Sequence, residues 1–130
     1  MSNPISAYFG VHGAALPLRE ERLKLLASNL SNADTPGYKA KDLNFNAALQ
    51  ASMSQRGPLE VTDARHFATP DQDSGAYLFE RSSTQPSLDG NTVDPDLERA
   101  AYGRAALEYR ASLSFLESKV KSMLTAITGQ

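Results

Sequence analysis

Apolar residues gather at helical spacing near the two ends of this chain, and the middle is polar and rich in turn formers. Leu16, Leu23, Leu26, Ala27, Leu30 and Ala33 follow steps of three, four and seven, with Phe9 one heptad before Leu16. That is the stripe of an amphipathic helix. Arg19, Glu20, Glu21, Arg22 and Lys24 fill the positions between, a solvated face of mixed sign. Pro17 sits inside this stretch, and proline costs about 3 kcal/mol in a helix interior. The pattern therefore predicts a weak turn before Pro17 and a firm helix over 18–32.

The far end carries a longer pattern. Asp94 is a capping residue, Pro95 suits the first helical position, and Asp96 and Glu98 suit the positive end of the helix dipole. Tyr102, Ala106, Tyr109, Leu113, Leu116, Val120, Met123 and Ile127 then recur at alternating steps of four and three, as in a coiled-coil seam. Roughly 32 residues make a rod of about 48 Å.

Between the ends, "NADTPGYK" at 32–39 stops the first helix. Pro36-Gly37 suits the centre of a type II turn, and Thr35 before proline is extended. A short helix follows near 43–56, with Phe45, Ala48, Leu49 and Ser52 on one side, Asp42 as its cap and Gly57 as its stop. "AYLFER" at 76–81 reads as a short strand, and the rest of 57–93 as extended loop.

These elements define a mainly α fold. The long N- and C-terminal helices pair as an antiparallel coiled-coil hairpin, with a short extra helix and a loop-rich, partly β middle. The division is 1–33 with 94–130 as the paired-helix domain, and 34–93 as an irregular outer segment. One helical pair buries only a narrow seam. Leu107, Phe115 and Leu124 lie off that seam and widen the apolar surface, so neighbouring chains are expected to cover it. Such a chain should be weakly ordered alone and fully structured in an assembly. A small bundle completed by 43–56 is the alternative.

Composition narrows the functions. The chain has 130 residues, one domain's worth, with a net charge of −2 and no cluster of four or more basic residues. That argues against nucleic acid as a partner. With no cysteine, disulfides, thiolate metal sites and cysteine nucleophiles are excluded. No run of about 20 apolar residues occurs. The first basic residue is Arg19, so the N-terminus does not read as a cleavable signal.

No catalytic, cofactor or metal constellation emerges. His12 and His66 stand without a partner at ligand spacing. "DGNTVDPD" at 89–96 lacks the fifth-position ligand, sixth-position glycine and twelfth-position glutamate of a calcium loop, and reads as a turn plus a helix cap. Asn29-Leu30-Ser31 matches a glycosylation sequon but falls in a predicted helix. There is no phosphate-binding loop or nucleophile elbow, so neither an enzyme nor a small-molecule substrate is expected.

The helix stop, continued as "LASNLSNADTPGYKAKDLNF", resembles the N-terminal signature of the bacterial flagellar axial proteins, the rod, hook and hook-associated subunits. Asn29, Asn32, Ala33, Asp34, Thr35, Pro36, Gly37, Tyr38 and Lys39 carry the match. With "QPSLDGNTVD" and "ALEYRASLSFLESKVKSMLTAI", the chain is most similar to the proximal-rod type of that family. Pro17 departs from the family pattern, which runs a helix through that position.

The resemblance implies that subunits stack helically into a hollow shaft that transmits torque and encloses an export channel. It implies export by the flagellar type III apparatus without a cleaved signal, and a place in the periplasmic rod. Implied partners are further copies, other rod proteins, the protein joining rod to ring, the inner-membrane ring and the export gate. Leu16, Leu23, Leu26 and Leu30 with the eight residues from Tyr102 to Ile127 would form the assembly seam. A soluble helical-hairpin adaptor or export chaperone is the competing reading.

Overall fold

The computed structural model describes residues 4–54, 77–83 and 87–129. Gly57 and His66 lie outside the described residues. The elements run α1 (Pro4–Ser31), β1 (Lys41–Leu43), α2 (Phe45–Ser54), β2 (Leu78–Glu80) and α3 (Pro95–Thr128). The fold is mainly helical, as the spacing predicts, and α1 and α3 lie antiparallel. Tyr8 meets Lys119, Arg19 meets Glu108 and Asn29 meets Glu98. Residue numbers rise along one helix as they fall by the same amount along the other, so the register holds over the whole overlap.

Local chemistry sets the start of α3. The Asp94 carboxylate accepts from the backbone N–H groups of Asp96 and Leu97, and Pro95 opens the helix. Gly129 closes it in the left-handed conformation.

Two local expectations need correction. The helix does not begin after Pro17: α1 runs through that residue, and its one break is at Gly10, with φ 49° and ψ −132°. Residues with a Cβ are sterically barred from that backbone conformation. Pro17 is exposed, and the flanking Ala14 and Ala15 are buried. Packing of those neighbours holds the helix through the missing hydrogen bond. Second, Asp42 does not cap α2. Asn44 does, accepting from the Ala47 and Ala48 N–H groups through its side chain and carbonyl. Two arginines take the Asp42 carboxylate instead.

In the middle, β2 lies within the predicted strand and pairs antiparallel with β1, Lys41 opposite Glu80, Asp42 opposite Phe79 and Leu43 opposite Leu78. Both β1 and α2 pack on α1, which also carries α3. Being touched from several sides, α1 buries more than one stripe. The described core is made of Ala14, Ala15, Leu26, Ala40, Leu43, Ala48 and Ala105. Mostly small side chains line it, which suits close helix approach.

Candidate functional site

The helix stop and the returning chain form one hydrogen-bonded unit. Thr35 to Tyr38 make a turn in which the Tyr38 N–H donates to the Thr35 carbonyl at 3.3 Å. Pro36 and Gly37 occupy its centre and Gly37 has φ 72°, the geometry of type II. The Asn32 amide folds back to the Ser28 carbonyl, and its Oδ1 accepts from the Thr35 hydroxyl. The end of α1 thus finds partners for carbonyls that a helix terminus leaves open.

Asn91, on the return segment, locks this turn. Its Nδ2 reaches the carbonyls of Asn32, Ala33 and Thr35 at 2.9, 2.9 and 2.8 Å. Two amide hydrogens serve three acceptors, so at least one is shared. Around it, Gly37 N–H donates to the Asp89 carbonyl, Thr92 N–H to the Tyr38 carbonyl, and Lys39 Nζ to the Gly90 carbonyl. Asp34 and Pro36 remain exposed.

Beneath the turn lies a buried polar cluster. Asn29 has no exposed surface, and its amide both donates to the Lys41 carbonyl at 2.8 Å and accepts from the Lys41 N–H at 3.0 Å. Nδ2 also reaches Glu98 Oε2 at 3.1 Å, and the Tyr38 hydroxyl donates to Oδ1. Arg81 joins Glu98 to Asp42, and Arg22 grips Asp42 through Nε and Nη2. Two carboxylates and two guanidinium groups balance in charge, as buried ions require. Burial alone would raise the Asp42 pKa. Hydrogen bonds from Arg22 and Arg81, and from the Leu43 N–H, outweigh it and hold the carboxyl below its usual value.

The cluster ties five pieces of chain: α1 through Arg22 and Asn29, β1 through Lys41 and Asp42, the turn through Tyr38, the end of β2 through Arg81, and α3 through Glu98. With both carboxylates held by arginines, the cluster fixes these elements against one another. Buried Asn29 also leaves no room for a glycan on its sequon.

The expected seam residues divide. On α1, Leu26 is buried and Leu16, Leu23 and Leu30 are half-buried. On α3, Ala106, Tyr109, Leu116 and Met123 are half-buried, while Tyr102, Leu113, Val120 and Ile127 are exposed, Val120 by 50% and Ile127 by 77%. The buried α3 positions are Glu98, Ala105 and Ser112, spaced by sevens. The intrachain contact is therefore turned about one residue from the apolar stripe. That leaves half of the stripe as a continuous flank facing outward.

Glu98, Arg81, Asp42, Arg22 and Asn91 were not legible as site residues. Glu98 in a first helical turn reads as a dipole partner, and nothing local marks it as 2% exposed. For Asn91, the one available signal was its place in "DGNTVDP".

A helical pair joined through this turn is the arrangement that the resemblance to the flagellar axial proteins implies. The family described as "Flagella basal body rod protein" matches residues 9–39, which hold α1 from the Gly10 break through the turn. The flagellar basal body rod protein FlgB of Aeromonas hydrophila is 44% identical over 124 residues, 94% of this chain and 93% of its own. FlgB of Cereibacter sphaeroides is 44% identical over 121 residues, 93% and 94% of the two chains. FlgB of Escherichia coli is 39% identical over 138 aligned positions, 98% and 97%. The chain belongs to the FlgB family of flagellar basal body rod proteins.

Proposed function

We propose that this chain is a structural subunit of the proximal rod of the flagellar basal body, and not an enzyme. Copies stack helically with other rod proteins into the hollow drive shaft, transmitting torque and enclosing the export channel. The uncovered apolar flank of α3 is the observation that carries this reading. Tyr102, Leu113, Val120 and Ile127 follow coiled-coil spacing yet face outward, so a further helix is needed to cover them. FlgB relatives matching over nearly the whole chain support the rod as the place of assembly.

Finer features belong to the same reading. Residues 1–33 and 94–130 form the axial core and 34–93 the outer segment. The seam is Leu16, Leu23, Leu26 and Leu30 with the α3 stripe. Neighbours are the rod-to-ring junction protein, the inner-membrane ring and the export gate. The subunit reaches the periplasmic rod through the flagellar type III apparatus without a cleaved signal.

The test is mass spectrometry on basal bodies purified from the source bacterium, following the tryptic peptide Leu25 to Lys39. Enrichment with ring and rod proteins is expected. Absence from basal bodies, with abundance in the cytosol, would overturn the reading.

A further inference from the structure

An open groove of about 620 Å³ lies where α1, the β1–α2 corner, β2 and α3 meet. Arg19, Arg22 and Arg104 line it, with Leu43, Phe45 and Phe79. The Arg19 guanidinium stands 4.7 Å over the Phe45 ring. Phe79 is about half exposed.

The groove is rich in donors. Its two carboxylates are Asp42, engaged by Arg22 and Arg81, and Glu108. Glu108 alone serves both Arg19, at 2.8 Å, and Arg104, at 3.1 Å. Each guanidinium carries five N–H groups, so donors outnumber the oxygens that meet them. Arg19 Nε is buried with no acceptor. Among the described residues, three lining cations against two lining anions leave the groove positive, with an aromatic wall.

A matching shape sits elsewhere on the same chain. Leu88 is 112% exposed, as accessible as in an extended peptide. It does not line the groove of its own chain. Asp89 follows it, exposed, with its carboxylate held by the Asn91 N–H at 3.0 Å. The corner is fixed rather than loose. Gly90 N–H closes it onto the Ser87 carbonyl, and Gly37 N–H pins the Asp89 carbonyl. An apolar knob beside a carboxylate, already held in shape, has little entropy to lose on docking.

We propose that the Leu88–Asp89 corner of one copy docks into the arginine-and-phenylalanine groove of a second copy. Leu88 meets Phe79 and Phe45, and Asp89 meets Arg104 and Arg19. The two surfaces differ, so the contact is head-to-tail and does not close on a dimer. Repetition gives a ring or an open helical array, according to the rotation between copies. The inference rests on the rod reading only in requiring that copies be neighbours.

The absence of cysteine makes a clean test. Leu88→Cys and Phe79→Cys are combined in one chain, and basal bodies carrying it are oxidised. A ladder of disulfide-linked dimers and higher multimers is expected, with none from either single variant. Basal bodies that contain the double variant but yield no ladder would overturn the docking and leave the rod assignment standing. Dimers from Leu88→Cys alone would show a symmetric contact and also overturn it.

A second variant covers the case in which paired cysteines disturb assembly. Leu88→Ser should leave the helicity of the isolated chain unchanged and lower incorporation into basal bodies about tenfold or more, the loss expected for an unburied Leu side chain. Wild-type incorporation of Leu88→Ser would also defeat the docking. Absence of the wild-type chain from basal bodies would instead defeat the rod reading.

Discussion

The Asn29 side chain and the Lys41 backbone form a two-way pair, donating at 2.8 Å and accepting at 3.0 Å, in the manner of a strand partner. The helix end thereby stands in for the strand that β1 lacks on that side. It also explains an asparagine in a fully buried position of α1. Removing it strands Lys41 N–H and C=O and one Glu98 oxygen. Asn29→Ala should cost about 2–3 kcal/mol, since each buried unsatisfied group costs about 1–3 kcal/mol. Asn29→Asp should cost more, because it sets a second carboxylate beside Glu98. Urea denaturation followed by circular dichroism would measure both. Equal stability of the two variants would show that charge at Glu98 does not matter here.

Acid should weaken the fold through Asp42. Its folded pKa lies below the unfolded value near 3.9. Between the two values the unfolded chain binds more protons, so stability rises with pH across that window. The contribution is fully present above about pH 5 and is lost as pH falls through the folded pKa. Stability measured from pH 6 down to pH 3 should show this decline, and Asp42→Asn should flatten it. An unchanged slope in that variant would assign acid sensitivity elsewhere.

Two glycines should respond with opposite signs. Gly103 is exposed inside α3, and a Cβ there meets nothing within 4 Å. Gly103→Ala should stabilise by about 0.5–1 kcal/mol. At Gly10, the positive φ with ψ −132° is closed to alanine. Gly10→Ala should destabilise by about 1–3 kcal/mol or straighten α1. Straightening would separate Tyr8 from Lys119, whose ammonium now donates to the Tyr8 carbonyl at 3.1 Å. Denaturant titration gives the energies, and amide chemical shifts near Lys119 report the geometry. A neutral Gly10→Ala variant with unshifted Lys119 would contradict the break.

Intrachain packing and assembly should separate on α3. Leu116, on the paired helix α3, is half-buried, and Val120 faces outward. Leu116→Asp buries an uncompensated charge and should destabilise the isolated chain by about 2 kcal/mol or more. Val120→Glu should change stability by less than about 0.5 kcal/mol, as exposed substitutions do, yet block incorporation and motility. Thermal melts beside a swimming assay distinguish them. Normal swimming with Val120→Glu would remove the outward flank from the assembly.

Asn91→Ala should loosen the turn without unfolding the helices. Three carbonyls of the helix stop lose their shared donor. Hydrogen exchange at Gly37, Ala40 and Thr92 should speed up, while the centre of α3 stays protected. Uniform loss of protection would show that the turn is inseparable from the fold.

Where helices stop and start is written in neighbouring residues. Asp94-Pro95 and Thr35-Pro36-Gly37 act through sterics and hydrogen bonds within about four residues, so their outcome is written locally. Heptad spacing determined that two long helices exist and present apolar faces. Tertiary structure alone decided which part of the α3 stripe meets α1. Rotating a helix by one residue leaves every local preference satisfied, and the choice falls to small Ala105 and Ser112 and to the buried Asn29–Glu98 contact across 69 residues. It also decided that Pro17 is carried through while the chain breaks at Gly10. Packing on three sides of α1 outweighs a single lost hydrogen bond, an effect that no window of neighbouring residues contains.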